Sequence, residues 1–103
     1  MTISFACINT LHARDYVAGL GRIWHHEIPP VAPAHVVIPF PIGLCELAAT
    51  AKLLNITLTA KSGYEIALLE DLISEHLDRI SDDERLRYQW IRPADEQRNM
   101  RKP

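Results

Sequence analysis

The residues in this chain with the means to do chemistry are five histidines (His12, His25, His26, His35 and His76), two cysteines (Cys7 and Cys45) and the acids beside them, Glu27 and Glu46. Imidazole, thiolate and carboxylate together are the usual ligands of zinc, so a metal site is the first reading to test. The spacing argues against it. Adjacent residues on a helix point about 100° apart, which keeps His25 and His26 from converging on one ion. No histidine pair has the i, i+4 or H-x3–5-H spacing that zinc sites favour.

Nucleophilic chemistry fares no better. Cys45, at the start of an apolar stretch, would become a thiolate only if a helix N-terminus or a base stood next to it. Its neighbours Leu44, Leu47 and Ala48 mark it instead as a small buried hydrophobe, and Cys7 reads the same way. Gly19-Leu-Gly21 lacks the third glycine of a dinucleotide fingerprint, and there is no P-loop, G-x-S-x-G or H-E-x-x-H. The sequence therefore points to no catalytic residue, no metal and no cofactor, and a protein that is not an enzyme is expected.

The elements that would position these groups are read from size, charge and periodicity. A chain of 103 residues that is 48% hydrophobic fits one small domain with a real core. The net charge of −2 gives no general attraction to nucleic acid or acidic membrane, but it is unevenly spread. Residues 62–84 hold eight acids and one base, Arg79, whereas residues 85–103 hold six bases and two acids. Neither cysteine sits in a C-x-x-C motif and no signal-peptide core follows Met1, so a cytoplasmic protein with reduced thiols is expected. Residues 28–45 lack Asp, Glu, Lys and Arg, but five of them are proline, which rules out a spanning helix.

Residues 2–8 read as a short strand or an extended lead-in. Residues 10–27 read as a helix capped by Thr10 or Asn9 and stopped by Pro29 and Pro30. The stretch 28–41 reads as a strap across the core, and residues 42–54 as a central apolar helix. Ser62 and Glu65 form a capping box that starts a helix over 63–80. On that helix Ile66, Leu69, Ile73, Leu77 and Ile80 fall within about 80° of one another, and Leu68 and Leu72 widen the apolar arc to about 180°. Ser81 and Glu84 repeat the box, which predicts a last helix over 82–91. The resulting expectation is a mainly α fold: three to four helices, a helix–turn–helix-like hairpin and up to two short strands. The runner-up is α+β, with 35–39 and 56–61 as strands. The domain spans residues 1–92, and 93–103 form a disordered polar tail.

Ala51-Lys-Leu-Leu-Asn-Ile-Thr57 resembles the core of a helix-turn-helix, with Ala51 allowing close helix approach, Leu54 and Ile56 filling the core and Asn55 in the place of the turn glycine. The resemblance covers about seven residues and implies a DNA-binding regulator. Lys61 departs from its pattern, and the helix meant for the groove runs into the acidic segment, which phosphates repel. The same residues suit an ordinary hairpin in a small core. Elimination and the wide arc of helix 63–80 favour a small intracellular regulator or adaptor working through protein contacts as a homo-oligomer. Its partner-binding residues would be Leu68, Leu72, Val37 and Phe40. DNA binding is the alternative. Because residues 94–103 have no apolar periodicity that could bury surface, deleting them is expected to leave the thermal unfolding midpoint unchanged; a large fall would place them in the fold.

Overall fold

The computed structural model describes residues 1–23, 35–81 and 84–93. It is a two-layer α+β domain. The elements run β1 (Thr2–Asn9), α1 (Ala13–Ile23), β2 (His35–Phe40), β3 (Gly43–Ala49), β4 (Leu53–Ala60) and α2 (Gly63–Ser81). The four strands form one antiparallel sheet in the order β1-β4-β3-β2. Both helices pack on one of its faces.

The expectation of a mainly α protein is thereby corrected, and with it the description of the chain as helical. Residues 42–54, read as a central helix, are a turn, strand β3 and the hairpin into β4. The helix–turn–helix-like hairpin falls with it. Ala51 and Lys52 lie in the β3–β4 turn, and Asn55, set in the place of the turn glycine by the helix-turn-helix resemblance, is paired with Cys7 on one side and Ala48 on the other. The reason is visible in β4, where Leu54, Ile56, Leu58 and Ala60 alternate with Leu53, Asn55, Thr57 and Thr59. That period of two buries one set of side chains under the helices and turns the other set away. The class is the one first ranked second, α+β, and both strands invoked for it exist. Four strands beside two helices give a mixed circular dichroism signature in place of a helix-dominated one. Residues 24–34, which include the first half of the stretch read as a strap, lie outside the described residues, as do 82–83 and the tail from 94 onward.

The core is built from Val17 and Leu20 of α1, Ile66, Leu69, Ile73 and Leu77 of α2, and Ile8, Ile38, Leu47, Leu54, Ile56 and Leu58 of the sheet, each at most 1% exposed. Each such side chain gains about 1.5–3 kcal/mol from leaving water. The α2 stripe is the one its periodicity predicts, and its cap is as expected: Ser62 Oγ accepts from Glu65 N at 3.3 Å. Thr10 shapes the turn that leads into α1, its Oγ1 accepting from His12 N at 3.1 Å.

After α2 the described residues 84–91 do not form the helix expected over 82–91. Residues 84–92 run extended, with Leu86, Tyr88 and Trp90 packed on the core and Arg85, Arg87 and Gln89 exposed. This strap ends alongside β1, where Phe5 and Ile91 exchange two backbone hydrogen bonds of 2.9 Å. Its anchor is Glu70, an 8% exposed carboxylate on α2. Arg92 donates to it through Nη2 at 2.7 Å and Nε at 3.1 Å, and Ser4 Oγ of β1 donates at 2.6 Å.

Two outcomes check this packing. A Cβ on Gly43 would lie 2.2 Å from the Thr59 carbonyl oxygen and 3.0 Å from Leu69, so Gly43→Ala is expected to destabilise by about 2–3 kcal/mol in chemical denaturation. Ser62→Ala, which loses only a cap, is expected to cost about 1 kcal/mol. An unchanged midpoint for Gly43→Ala would mean that β3 does not approach β4 and α2 so closely.

Candidate functional site

Two places in this fold combine unusual composition with accessibility. The first is the sheet face turned away from the helices. In an antiparallel sheet with one face on the core, the other face is ordinarily polar. Here the outward residues of β1 are Ile3, Phe5 and Cys7, while Ser4 and Ala6 point inward. The large apolar side chains of this strand thus stand on the side where solvent is expected. Strand pairing continues the pattern across the sheet. Phe5 lies beside Thr57, then Glu46, then Val37; Ile3 lies beside Thr59, then Leu44, then Pro39. Ile3, Phe5, Val37 and Leu44 are 36–46% exposed. Within the four strands this face carries one carboxylate, Glu46, and its Oε2 lies 2.6 Å from His35 Nε2.

The second place is a cleft of about 620 Å³ between α1 and the end of α2, lined by His12, Asp15, Tyr16, Arg22, Ile80 and Glu84, among others. The helices approach closely there because residue 19 is glycine: a Cβ would stand 3.2 Å from Ile80 Cδ1. Glu84, the first described residue of the strap, is fixed at the cleft by two hydroxyls. Both Tyr16 Oη and Thr10 Oγ1 donate to its Oε1, the latter at 2.7 Å. These two hydrogen bonds favour the ionised form and hold the Glu84 carboxyl below the usual carboxylate range. Burial, then the Glu84 bond and charge, push the Tyr16 phenol up to about 12. Glu84 Oε2 and the Arg22 guanidinium have no hydrogen bond or ion pair among the described residues. The His12 and Tyr16 rings lie 6.1 Å apart, tilted by 53°.

The residues predicted to bind a partner do not form one surface. Val37 stands on the outer sheet face, 44% exposed. Leu68, 42% exposed, is on α2 on the opposite side of the molecule. Leu72 packs against the core. Phe40 also packs against the core, and it lines an apolar groove of about 420 Å³ with Met1, Ile42, Leu44 and Lys61. Among the described residues no group of three or more His, Cys, Asp or Glu is placed to hold a metal ion. His76 has Nδ1 2.9 Å from the Leu72 carbonyl oxygen. Cys45 is buried, and desolvation, with a smaller contribution from Glu46, pushes its thiol up to about 12, away from nucleophilic use. Cys7 was expected to be buried too; it is exposed on the outer sheet face.

The sequence reading missed Ile3, Phe5 and Leu44 as surface residues because apolar side chains on both faces of a strand erase the alternation that marks one. It missed Thr10, Tyr16 and Glu84 because their association spans 68 to 74 residues of chain. No helix among the described residues is long and apolar enough to cross a membrane.

A small antiparallel sheet with two helices on one face and an apolar outer face defines the class as a compact α+β domain. The chain belongs to a family described as an uncharacterized protein conserved in bacteria (DUF2218), whose model matches residues 5–91. It is similar to a protein solved by NMR, PA4090 from Pseudomonas aeruginosa, at 26% identity and a TM-score of 0.70, over 88% of this chain and 96% of that one. That likeness carries the four-stranded fold with it and is a second ground for the correction to α+β. No curated protein sequence matches.

The hydroxyl-to-carboxylate cluster makes stability depend on pH at both ends. Glu84 is depressed in the folded state, so its contribution is present above the ordinary carboxylate value and is lost as pH falls through the depressed one. Tyr16 is raised in the folded state, so its contribution is present below about 10 and is lost as pH rises through about 12. Tyr16→Phe is expected to destabilise by about 1.5 kcal/mol near neutral pH and to flatten both limbs. Parallel stability–pH curves for the variant and the wild type would contradict the cluster.

Proposed function

We propose that this chain is a non-catalytic binding protein, a cytoplasmic regulator or adaptor, that works as a homodimer through the outer face of its sheet. The observation that carries this reading is the distribution of side chains on β1: Phe5 and Ile3 face outward while Ser4 and Ala6 face the core. An apolar surface of this kind, crossed along β4 by Asn55, Thr57 and Thr59, marks an interaction surface. A second copy fits it for two reasons. A two-fold contact sets a patch against itself, which suits a face whose one carboxylate is already paired with His35. Pairing edge to edge is discouraged, since Ile91 occupies the β1 edge and Pro39 lies in the β2 edge strand. Burying the remaining exposure of Ile3, Phe5, Val37 and Leu44 is worth about 1 kcal/mol for each side chain, or about 8 kcal/mol for a dimer before association costs. That sum supports a reversible dimer rather than an obligate one. Two free cysteines, one of them buried, suit a reducing compartment.

The DNA-binding alternative finds less support, because residues 56–60, where the second helix of its helix-turn-helix resemblance would begin, lie in strand β4 and the net charge of −2 gives no general attraction to phosphates. Light scattering coupled to size exclusion is expected to report a mass rising toward that of a dimer with concentration. Phe5→Glu with Leu44→Glu should give a folded monomer, and Leu68→Glu, on the far side, should leave the dimer intact. A wild-type protein that stays monomeric at high micromolar concentration would overturn the reading, as would a double variant that still dimerises.

A further inference from the structure

The cleft beside α1 is independent of the sheet face and has a chemistry of its own. Surface glutamates are ordinarily mobile and solvated, and an exposed ion pair is worth little. Glu84 is held by two hydrogen bonds and has no ion pair among the described residues. Thr10 and Tyr16 spend both of their hydroxyl protons on a single oxygen, Oε1, and the Tyr16 side chain that does so is 6% exposed. The result is an oriented carboxylate whose second oxygen has no partner among the described residues. Two aromatic rings, His12 and Tyr16, line the cleft at the same end, and Asp15 adds a second negative charge there. Six residues further along α1, about 9 Å by helix rise, Arg22 lines the other end, its guanidinium without a hydrogen bond or ion pair among the described residues. A fixed anion beside aromatic rings at one end and a cation at the other is an arrangement complementary to a ligand carrying the opposite charges in reverse order.

We propose that this cleft binds a small zwitterion, with an organic ammonium held by Glu84 against the Tyr16 and His12 rings and a carboxylate held by Arg22. A carboxylate and ring faces are the usual partners of an organic ammonium. Arginine presents a planar donor fork that matches a carboxylate. A volume of about 620 Å³ admits a molecule of this size with room for water. Gly19 keeps the floor between the two ends free of a side chain, and Ile80 supplies an apolar wall for the ligand's methylene spacer. Metal binding is a poorer fit, because His12, Asp15 and Glu84 do not form a ligand cluster.

The test uses the full chain, isotope-labelled, and an NMR titration with three probes: ε-aminocaproate, which carries both charges; caproate, which lacks the ammonium; and pentylamine, which lacks the carboxylate. Saturable shifts are expected at the amides of Ala13–Ile23 and at Glu84, with ε-aminocaproate binding at least about tenfold more tightly than either control. Arg22→Met, at an exposed position, should reduce ε-aminocaproate to the level of pentylamine without altering the rest of the spectrum. Glu84→Gln keeps an acceptor for Tyr16 and Thr10 and should reduce it to the level of caproate. If Glu84→Gln unfolds, the Arg22→Met comparison alone decides. Equal affinity for the three probes, shifts confined to other parts of the chain, no saturable shift, or unchanged binding by Arg22→Met would each overturn the proposal. A dimerisation defect at the sheet face would leave the titration unaffected, so the two proposals fail separately.

Discussion

Glu70 is a carboxylate in a place where leucine would be the default. It sits on α2 between Leu69 and the buried turn that ends in Ile73, over strand β1, with 8% of its surface exposed. A charge taken out of water to that extent is tolerated only when donors replace its hydration. Arg92 supplies two N–H donors and Ser4 supplies an O–H. These three residues belong to three different parts of the chain: the first strand, the long helix and the end of the strap. Their meeting therefore determines more than one local contact. It sets the height at which α2 lies over β1, and it delivers Ile91 to the edge of β1, where the backbone ladder closes on Phe5. It also bears on composition. With Ser4 required beneath α2 and Ala6 next to it, the inward side of β1 has no large residue before Ile8. The bulk of the strand, Ile3 and Phe5, is placed on the other face. The apolar outer surface is in this sense the counterpart of a polar anchor inside.

A second polar anchor works at the other end of the strap. Glu84 is gripped by Thr10, in the turn that leads into α1, and by Tyr16, one turn into that helix. Between the two anchors Tyr88 donates to Asp78 Oδ1 at 2.8 Å and stacks on Trp90, with 6.4 Å between ring centroids. Nine residues without a helix or a regular strand are thus held by three side-chain contacts and one β-bridge. Extended backbone of this kind gains no internal hydrogen bonds, so such anchors must offset its ordering entropy. The close crossing of α1 over Ile80, made possible by Gly19, brings Tyr16 within reach of Glu84 and leaves the cleft beside it.

What was legible in the sequence followed from periodicity with one interpretation. Helix α2 was legible because Ile66, Leu69, Ile73 and Leu77 repeat at helical spacing behind a Ser62–Glu65 cap, and the structure has that cap and that stripe. Strand β3 was not. Gly43–Ala49 has Leu44 and Ala48 facing outward and Cys45 and Leu47 facing inward, so its apolar residues run almost continuously and mimic a helix. The strap was misread for a related reason. Ser81 and Glu84 have the spacing of a capping box, but Ser81 is the last residue of α2, its Oγ lying 3.4 Å from the Asp78 carbonyl oxygen, and Glu84 is committed to Tyr16. A local signal was outcompeted by a partner 68 residues away. The resemblance of Ala51–Thr57 to a helix-turn-helix failed on the same principle, since Leu54 and Ile56 fill a core equally well at strand spacing.

The candidate sites were the least legible part because neither is a motif. The outer face is assembled from alternate residues of four strands, so each strand contributes two to four side chains and none contributes a recognisable run. The cleft joins the start of α1 to the end of α2. Single residues nonetheless carry a readable clue in each case. An apolar strand whose small residues, Ser4 and Ala6, alternate with large ones, Ile3 and Phe5, must turn one set toward the core. The presence of an inward carboxylate partner for Ser4 decides which. Tyr16 falls on the buried stripe of α1 with Val17 and Leu20, and a buried phenol needs an acceptor. Following that requirement to Glu84 leads from the core of the protein directly to the cleft, whose wall holds the carboxylate that accepts the Tyr16 proton.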